Sequence, residues 1–310
     1  FPIVAIEEPE AHLHPNAQKK LYSQITGIPG QKLISTHSPY IAATTELEQI
    51  RSFYKKSESA KCGKLDITDF SPEEIRKIQR EVIKTRGELF FSKIIVLCEG
   101  ETEEQALPIF AEKYFKKNPI ELGIDFIGVD GFGNYLPFLR LAESLNIPWF
   151  IFSDGEVQVQ RKLKKVLQEI LKVEKIDITT ITNVFILEEG YDFEKYLLNS
   201  GFENEIRNAF AKMFSEKYIE EQIKKKDGTS RGRIQTKKVC KTCSQNIYED
   251  VLRDYSGDAG YLQALYDCMT DNKTPFGPAI AEAIIESGKS LPPIVIALFD
   301  KINETLVKED

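Results

Sequence analysis

Apolar positions along this chain fall into short continuous runs separated by longer stretches at helical spacing. Between Lys93 and about Asn199, four runs are apolar at nearly every position: Ile94–Cys98, Phe126–Val129, Trp149–Ser153 and Val184–Leu187. Strands that alternate in and out would cover one face only, so continuous runs predict strands buried on both faces. Helical patterns lie between them, and that order predicts βαβ units on a parallel sheet. A first block, to about Lys56, repeats the alternation with β-type runs at Ile3–Ile6, Lys32–Ser35 and Ile50–Tyr54. Ser71-Pro72-Glu73-Glu74 predicts a helix start: Ser71 can cap, Pro72 fits the first turn, and the acids suit the positive helix end. From Gly201 onward the pattern is helix-rich and polar, interrupted by a basic stretch. No internal repeat stands out.

Length and composition narrow the class. At 310 residues the chain is about two domains long. Its 42% apolar and 29% charged residues are ordinary for a globular protein. No run approaches the ~20 apolar residues of a membrane span, and no signal peptide is evident. Five cysteines with one close pair make no disulfide framework, so a reducing cytoplasm is expected. A net charge of -7 argues against general coating of nucleic acid, but leaves room for a local basic groove or a metal-bridged phosphate substrate. The chain opens inside an apolar run without Met, and so reads as part of a longer protein.

Acids at strand ends are the first chemical signal. Ile3-Val4-Ala5-Ile6 runs into Glu7-Glu8, and at the C-terminal edge of a parallel sheet one carboxylate can hold Mg²⁺ while the next orients water. An acidic loop after a strand would look the same. The run Lys93–Cys98 ends in Glu99-Gly100-Glu101-Thr102-Glu103-Glu104, and Gly100 is expected to make a sharp turn, leaving Glu99 at the strand tip and Glu103 in the first turn of a helix from Gln105 to about Phe115. Pro148–Ser153 likewise ends in Asp154-Gly155-Glu156. Two parallel strands ending in carboxylates align them on one sheet edge, and hard oxygen donors there suit Mg²⁺ or Mn²⁺ rather than Zn²⁺.

The basic stretch carries Lys224, Lys225, Lys226, Arg231, Arg233, Lys237, Lys238 and Lys241 against one acid, Asp227. Such clustering can neutralise DNA phosphates, although charge runs are often merely solvated. Gly228 and Gly232 predict a flexible loop there. Cys240-Lys241-Thr242-Cys243 is half of a zinc site, whose remaining ligands would have to come from Cys62, Cys268 or a histidine.

The order strand–Glu-Gly-x-x-Glu, helix, strand, helix, strand–Asp-x-Glu resembles the Toprim domain of topoisomerases, primases and certain nucleases. Glu156 stands where Asp is typical. Upstream, Glu7-Glu8-Pro9-Glu10-Ala11-His12 and Thr36-His37-Ser38-Pro39 resemble the Walker B, D-loop and switch-histidine segments of ABC-type ATPases of the SMC kind. By that resemblance Glu7 takes the metal-side position, Glu8 the general base and His37 the γ-phosphate sensor. No G-x-x-x-x-G-K-[ST] loop exists in the chain, so ATP is expected to act only in a full-length protein. Together the two segments resemble the C-terminal half of the OLD (overcoming lysogenization defect) nuclease family, in the class found beside a helicase partner in antiphage defence.

That resemblance implies an α/β fold in which an ATPase fragment (1–60) leads through a helical connector (61–91) into a Toprim core (92–200). A partly basic helical insertion (201–272) and a C-terminal part of the nuclease domain (273–310) follow. It implies a DNA endonuclease or nickase using two Mg²⁺ or Mn²⁺ ions. Glu99, Asp154 and Glu156 would hold the ion that activates water; Glu103, Asp192 and Glu194 would hold the other, with Asp154 bridging and Glu188 in reserve. Asp192 and Glu194 could equally be ordinary acids at a helix N-terminus. Lys273, in the turn before a helix expected over Ala279–Glu286, would be the catalytic lysine. DNA, a homo-oligomeric partner and a helicase are the implied partners. A Toprim topoisomerase or primase and a non-catalytic scaffold are the alternatives; the first would need a nucleophilic-tyrosine module that is not visible.

Overall fold

The computed structural model describes residues 3–56, 59–84, 87–129, 134–239 and 246–309. The first block comprises β1 (Ile3–Glu7), α1 (Pro15–Thr26), β2 (Gln31–Ser35), α2 (Pro39–Thr44), β3 (Arg51–Lys56), β4 (Ser59–Lys64) and α3 (Pro72–Lys84). The central block is β5 (Ile94–Cys98), α4 (Glu101–Phe115), β6 (Ile124–Gly128), α5 (Leu136–Leu145), β7 (Trp149–Ser153), α6 (Val157–Leu171), β8 (Val184–Ile186) and α7 (Phe193–Asn199). The last contains α8 (Glu203–Met213), α9 (Tyr218–Lys226), β9 (Ser230–Val239), β10 (Asn246–Leu252), α10 (Gly257–Thr270), α11 (Lys273–Ser287) and α12 (Pro293–Glu309).

The four apolar runs of the central block form one parallel sheet in the order β6-β5-β7-β8. Every residue of β5 and β7 is buried, as continuous apolar runs require. Alternation along each strand divides the core in two. Ile94, Val96, Cys98, Phe150 and Phe152 face one cluster, while Ile95, Leu97, Trp149 and Ile151 face the other. The chain leaves β5 for β6 on one side, then returns to β7 on the other. Successive connections therefore diverge at the β5/β7 boundary, and a crevice opens at the C-terminal strand ends where they part.

The flanking segments do not stand apart from this sheet. Phe202, Ile206, Phe210 and Leu265 of the helical insertion enter the same cluster as Val96 and Phe152. Leu65, Phe70, Ile78 and Leu89 of the connector enter the other. α11 packs on α4 and α8, with Phe276 stacked on Phe210 at a centroid distance of 5.2 Å. Burying each such ring stabilises by about 1.5–3 kcal/mol. The expected boundary at residue 60 falls inside the β3–β4 hairpin, which pairs Lys55 with Ala60.

Two local expectations are corrected. Among its described residues the basic stretch is mostly regular, with only a short turn at Gly228: α9 carries Lys224, Lys225 and Lys226, and β9 pairs antiparallel with β10. Lys273 lies not in a turn but at the first position of α11, which begins six residues before the expected start at Ala279. Pro275 falls in that helix's first turn, where a missing N–H costs nothing. Among the described residues no helix is long and apolar enough to cross a membrane.

Candidate active site

Glu99 follows β5 and Asp154 follows β7, so the crevice at the connection switch is lined by carboxylates from two neighbouring strands. Glu99 is 8% exposed, and three donors converge on its Oε2. They are Ser153 Oγ at 3.1 Å, Tyr135 OH at 3.3 Å and the Asp154 backbone N–H at 3.4 Å. Burial nonetheless raises the Glu99 carboxyl above its ordinary range, with Glu156 adding to the effect and the three donors opposing it. Glu156 itself is exposed.

Gly100 serves the site by its missing side chain. Its backbone is extended (φ -106°, ψ 160°), not turned as expected, and a Cβ there would lie 2.3 Å from Glu103 Oε2. The glycine lets the Glu103 carboxylate fold back over the strand end, where it is 2% exposed. Burial first, then the charges of Asp154 and Glu194, push its proton affinity well up. Gly155 makes room for main chain instead, since a Cβ there would meet the Glu188 carbonyl oxygen at 1.8 Å.

From α7 and its cap come Glu194 and Asp192. Glu194 is 1% exposed and accepts a hydrogen bond from Thr102 Oγ1 at 2.6 Å. Lys273 reaches in from α11, its Nζ 3.7 Å from Glu194 Oε1. Burial works against the Lys273 ammonium, but the charges of Glu194, Glu103, Asp192 and Asp154 outweigh it and raise its pKa. Asp192 is also structural: Oδ1 caps α7 by accepting from the Lys195 N–H at 2.8 Å, and Oδ2 accepts from Tyr266 OH. Glu188 is exposed.

Asp154 is where the arrangement falls short of positive charge. Its Oδ1 is buried without a hydrogen-bond partner. Desolvation, followed by Glu99, Asp192 and Glu194, pushes its carboxyl up to about 8, and Lys273 only partly offsets this. Among the described residues no three His, Cys, Asp or Glu side chains converge closely enough to cage an ion as they stand. The donor set still fits one: hard carboxylate oxygens, an orphaned oxygen at their centre, and more negative charge than one ammonium balances. An open cavity of about 620 Å³ reaches Glu99 and Lys273, lined also by Gly100, Glu101, Asn272 and Thr274 among others.

Residues 90–155, which contain the Glu99–Glu104 motif and reach Asp154 and Gly155 of the second, match the family described as Overcoming lysogenization defect protein-like, TOPRIM domain. The chain carries an OLD-like TOPRIM domain. Residues 1–88 match a family described as a protein of unknown function (DUF2813). Endonuclease GajA of Bacillus cereus (strain HuB5-5) is 22% identical over 267 residues, covering 68% of this chain and 38% of that protein. YbjD of Escherichia coli (strain K12) is 23% identical over 208 residues, covering 65% of this chain and 35% of that protein. The chain thus spans little more than a third of the length of either relative. The C-terminal region of the Xanthomonas campestris pv. campestris OLD protein aligns with 72% of this chain and 98% of its own, at 20% identity and a TM-score of 0.49. The corresponding region of the Burkholderia pseudomallei OLD protein aligns with 70% of this chain and 99% of its own, at 17% identity and a TM-score of 0.44.

Ahead of the TOPRIM domain, parallel pairing of β1 with β2 sets Glu7 opposite Ser35, and Glu8 next to His37. The His37 backbone N–H donates to Glu8 Oε2 and Glu10 Oε1, each at 3.2 Å, and His37 Nε2 is 3.8 Å from Glu8 Oε1. Glu7 is exposed, while Glu8 adopts a left-handed φ of 43°. Glu10 is a residue the sequence reading passed over. It is 7% exposed, takes a bond from Thr36 Oγ1, and has a second oxygen, Oε2, buried without a partner. Burial would raise its carboxyl, but hydrogen bonds from Thr36 and backbone N–H groups hold it below the usual range.

On the far side of the TOPRIM domain, the basic residues divide. Lys226 pairs with Asp271 and Arg231 with Asp267, the latter at 2.9 Å. Arg233 pairs across the ribbon with Asp250 at 2.9 Å but stays 74% exposed. Lys224 and Lys225 are exposed at the C-terminal end of α9. Lys237 and Lys238 belong to β9. Cys240, Lys241 and Cys243 lie outside the described residues. Cys268, one of the expected zinc partners, is buried in the core, and burial raises its thiol to about 11.

Proposed function

We propose that this chain is the nuclease half of an ATPase–nuclease, a divalent-metal-dependent DNA endonuclease or nickase acting in the cytoplasm as a homo-oligomer beside a helicase partner in antiphage defence. The observation that carries the reading is the buried, unpartnered Oδ1 of Asp154 among the carboxyl groups of Glu99, Glu103 and Glu194. The printed name of the relative from Bacillus cereus, Endonuclease GajA, supports the class of reaction.

Glu99, Asp154 and Glu156 would hold one Mg²⁺ or Mn²⁺, and Glu103, Asp192 and Glu194 a second. Such ions make water a nucleophile near neutral pH and offset charge on phosphate oxygens. The protein's own part is positional. Tyr135 and Ser153 fix the rotamer of Glu99, Thr102 fixes Glu194, and the α7 cap with Tyr266 fixes Asp192. Lys273, 39% exposed and lining the open cavity, can turn its ammonium to a phosphate oxygen once the acids are otherwise neutralised. ATP would act only in the longer protein, where Glu8 and His37 meet a phosphate loop that this chain lacks.

The test is supercoiled plasmid with Mg²⁺ or Mn²⁺ and no ATP. Nicked or linear product that disappears in Asp154→Ala is the expected result. Plasmid left intact by the parent under all metals would favour a scaffold, in which Lys273 is simply the permanent counter-ion of Glu194.

A further inference from the structure

The β9–β10 ribbon has no counterpart in the site just described, and its root is unusually well tied down. Gly232 pairs with Val251, and Ser230 with Leu252, so Arg231 is an extra residue on one strand. Such a bulge re-aims the side chain, and Arg231 turns in to Asp267 of α10. Asp267, 6% exposed, also accepts from Tyr255 OH at 2.7 Å and Gln263 Nε2 at 2.8 Å, and Arg253 Nε lies 3.5 Å away. The adjoining residue, Tyr266, bonds Asp192 of the acid cluster. The buried carboxylate that anchors the ribbon therefore adjoins, in the chain, the tyrosine that holds Asp192.

Beyond its root, none of the ribbon's described side chains is buried. Ile234 is 58% exposed, Tyr248 56% and Leu252 58%. Opposite residues share a face: Arg233 with Asp250 and Gln235 with Tyr248 on one side, Ile234 with Glu249 on the other. An isolated two-stranded ribbon is marginal in water, so this one gains by lying against something. Beyond Arg231, three basic residues on β9 (Arg233, Lys237 and Lys238) against two acids on β10 (Glu249 and Asp250) give it a charge opposite to that of the whole chain. Seven residues of β10 extend about 24 Å, and a two-stranded ribbon fits the ~12 Å major groove of B-form DNA.

We propose that the β9–β10 ribbon is an arm that lies in the major groove of double-stranded DNA, anchored by Asp267 so that the duplex is presented to the adjoining acid cluster. This rests on the nuclease reading and adds the form of the substrate. The exposed Arg233–Asp250 pair contributes little to stability, which leaves the guanidinium free to exchange its partner for a phosphate or a base edge. Ile234 and Tyr248 supply apolar contact on either face.

The experiment is fluorescence anisotropy in EDTA with a duplex of about 20 base pairs and with its single strand, comparing the parent with Arg233→Ser/Ile234→Ser/Tyr248→Ser. These positions are exposed, so the melting temperature of the variant should match the parent's. The expected result is a parent preference for duplex, and a loss of about tenfold or more in duplex affinity in the variant, with a salt slope smaller by about one. Single-strand affinity should not change. Unaltered duplex affinity, or a parent that prefers single strands, overturns the proposal. So does a variant whose mass by light scattering falls while DNA binding persists, because the ribbon then joins copies of the chain. Binding in EDTA involves no cleavage, so a parent that grips duplex through the ribbon yet never nicks plasmid would refute the nuclease reading and leave the arm standing.

Discussion

Replacing Asp154 by Asn should make the metal-free protein more stable, and increasingly so as pH rises. The Asp154 carboxyl moves from 3.8 in the unfolded chain to about 8 in the fold, chiefly through burial and then through Glu99, Asp192 and Glu194. Between those values the folded state keeps a proton that the unfolded state has lost. Stability therefore falls as pH rises through the window and levels off above about 8. At ~1.4 kcal/mol per pKa unit, a shift of about four units amounts to ~6 kcal/mol, of which ~4 accrues between about pH 5 and pH 8.5. Movement of Lys273 and proton uptake by neighbouring acids absorb part of this, leaving about 2 kcal/mol. Asparagine is neutral throughout, and Oδ1 has no hydrogen bond to lose. Thermal melts in EDTA should thus show the gap between Asp154→Asn and parent widening by roughly 4 °C from about pH 5 to pH 8.5. With Mg²⁺ or Mn²⁺ at the higher pH the order should reverse, because only the parent gains from the ion. An equal gap at both pH values would refute the account of Asp154 as a compressed acid.

Gly100→Ala should displace the Glu103 carboxylate, since the new methyl would stand 2.3 Å from its Oε2; calorimetric Mn²⁺ titration should show affinity at least about tenfold weaker. Lys273→Ala should lose cleavage but keep the metal-induced rise in melting temperature. In EDTA it should be less stable by about 2 kcal/mol, below the 3–5 typical of a fully buried pair because Lys273 is 39% exposed. ATP hydrolysis should be negligible in the parent and unchanged in Glu8→Gln, and phosphate release that vanished in that variant would show nucleotide bound in a way the absent phosphate loop does not suggest.

The strand ends were legible because their signal is local. A continuous apolar run announces a strand buried on both faces, and the acid after it must sit at the tip, which placed Glu99 and Asp154. Residues acting across long sequence distances left no such trace. Thr102 meets Glu194, Tyr135 meets Glu99, and Tyr266 meets Asp192 only after the sheet and α10 have packed. The role of Gly100 was misjudged because a sharp turn and a close approach both call for glycine, and only the backbone angles separate them. The ribbon was missed because none of its described side chains is buried, so β9 lacks the alternation that marks a half-buried strand.

The position of Lys273 has a consequence for the order in which the protein can be assembled. The acids Glu99, Glu103, Asp154 and Glu194 all precede it in the chain, and the one ammonium placed against Glu194 arrives with α11. A growing chain thus makes the whole repelling set before the cation that tempers it. α11 also supplies Phe276 and Ile280 to the core beside α4. One docking event would therefore close the hydrophobic core and quench the charge together. A chain ended at residue 272 should keep its acids far enough apart to titrate more like free carboxyls, which protonation followed by NMR would reveal. On this view the acid cluster is incomplete by construction until α11 is in place.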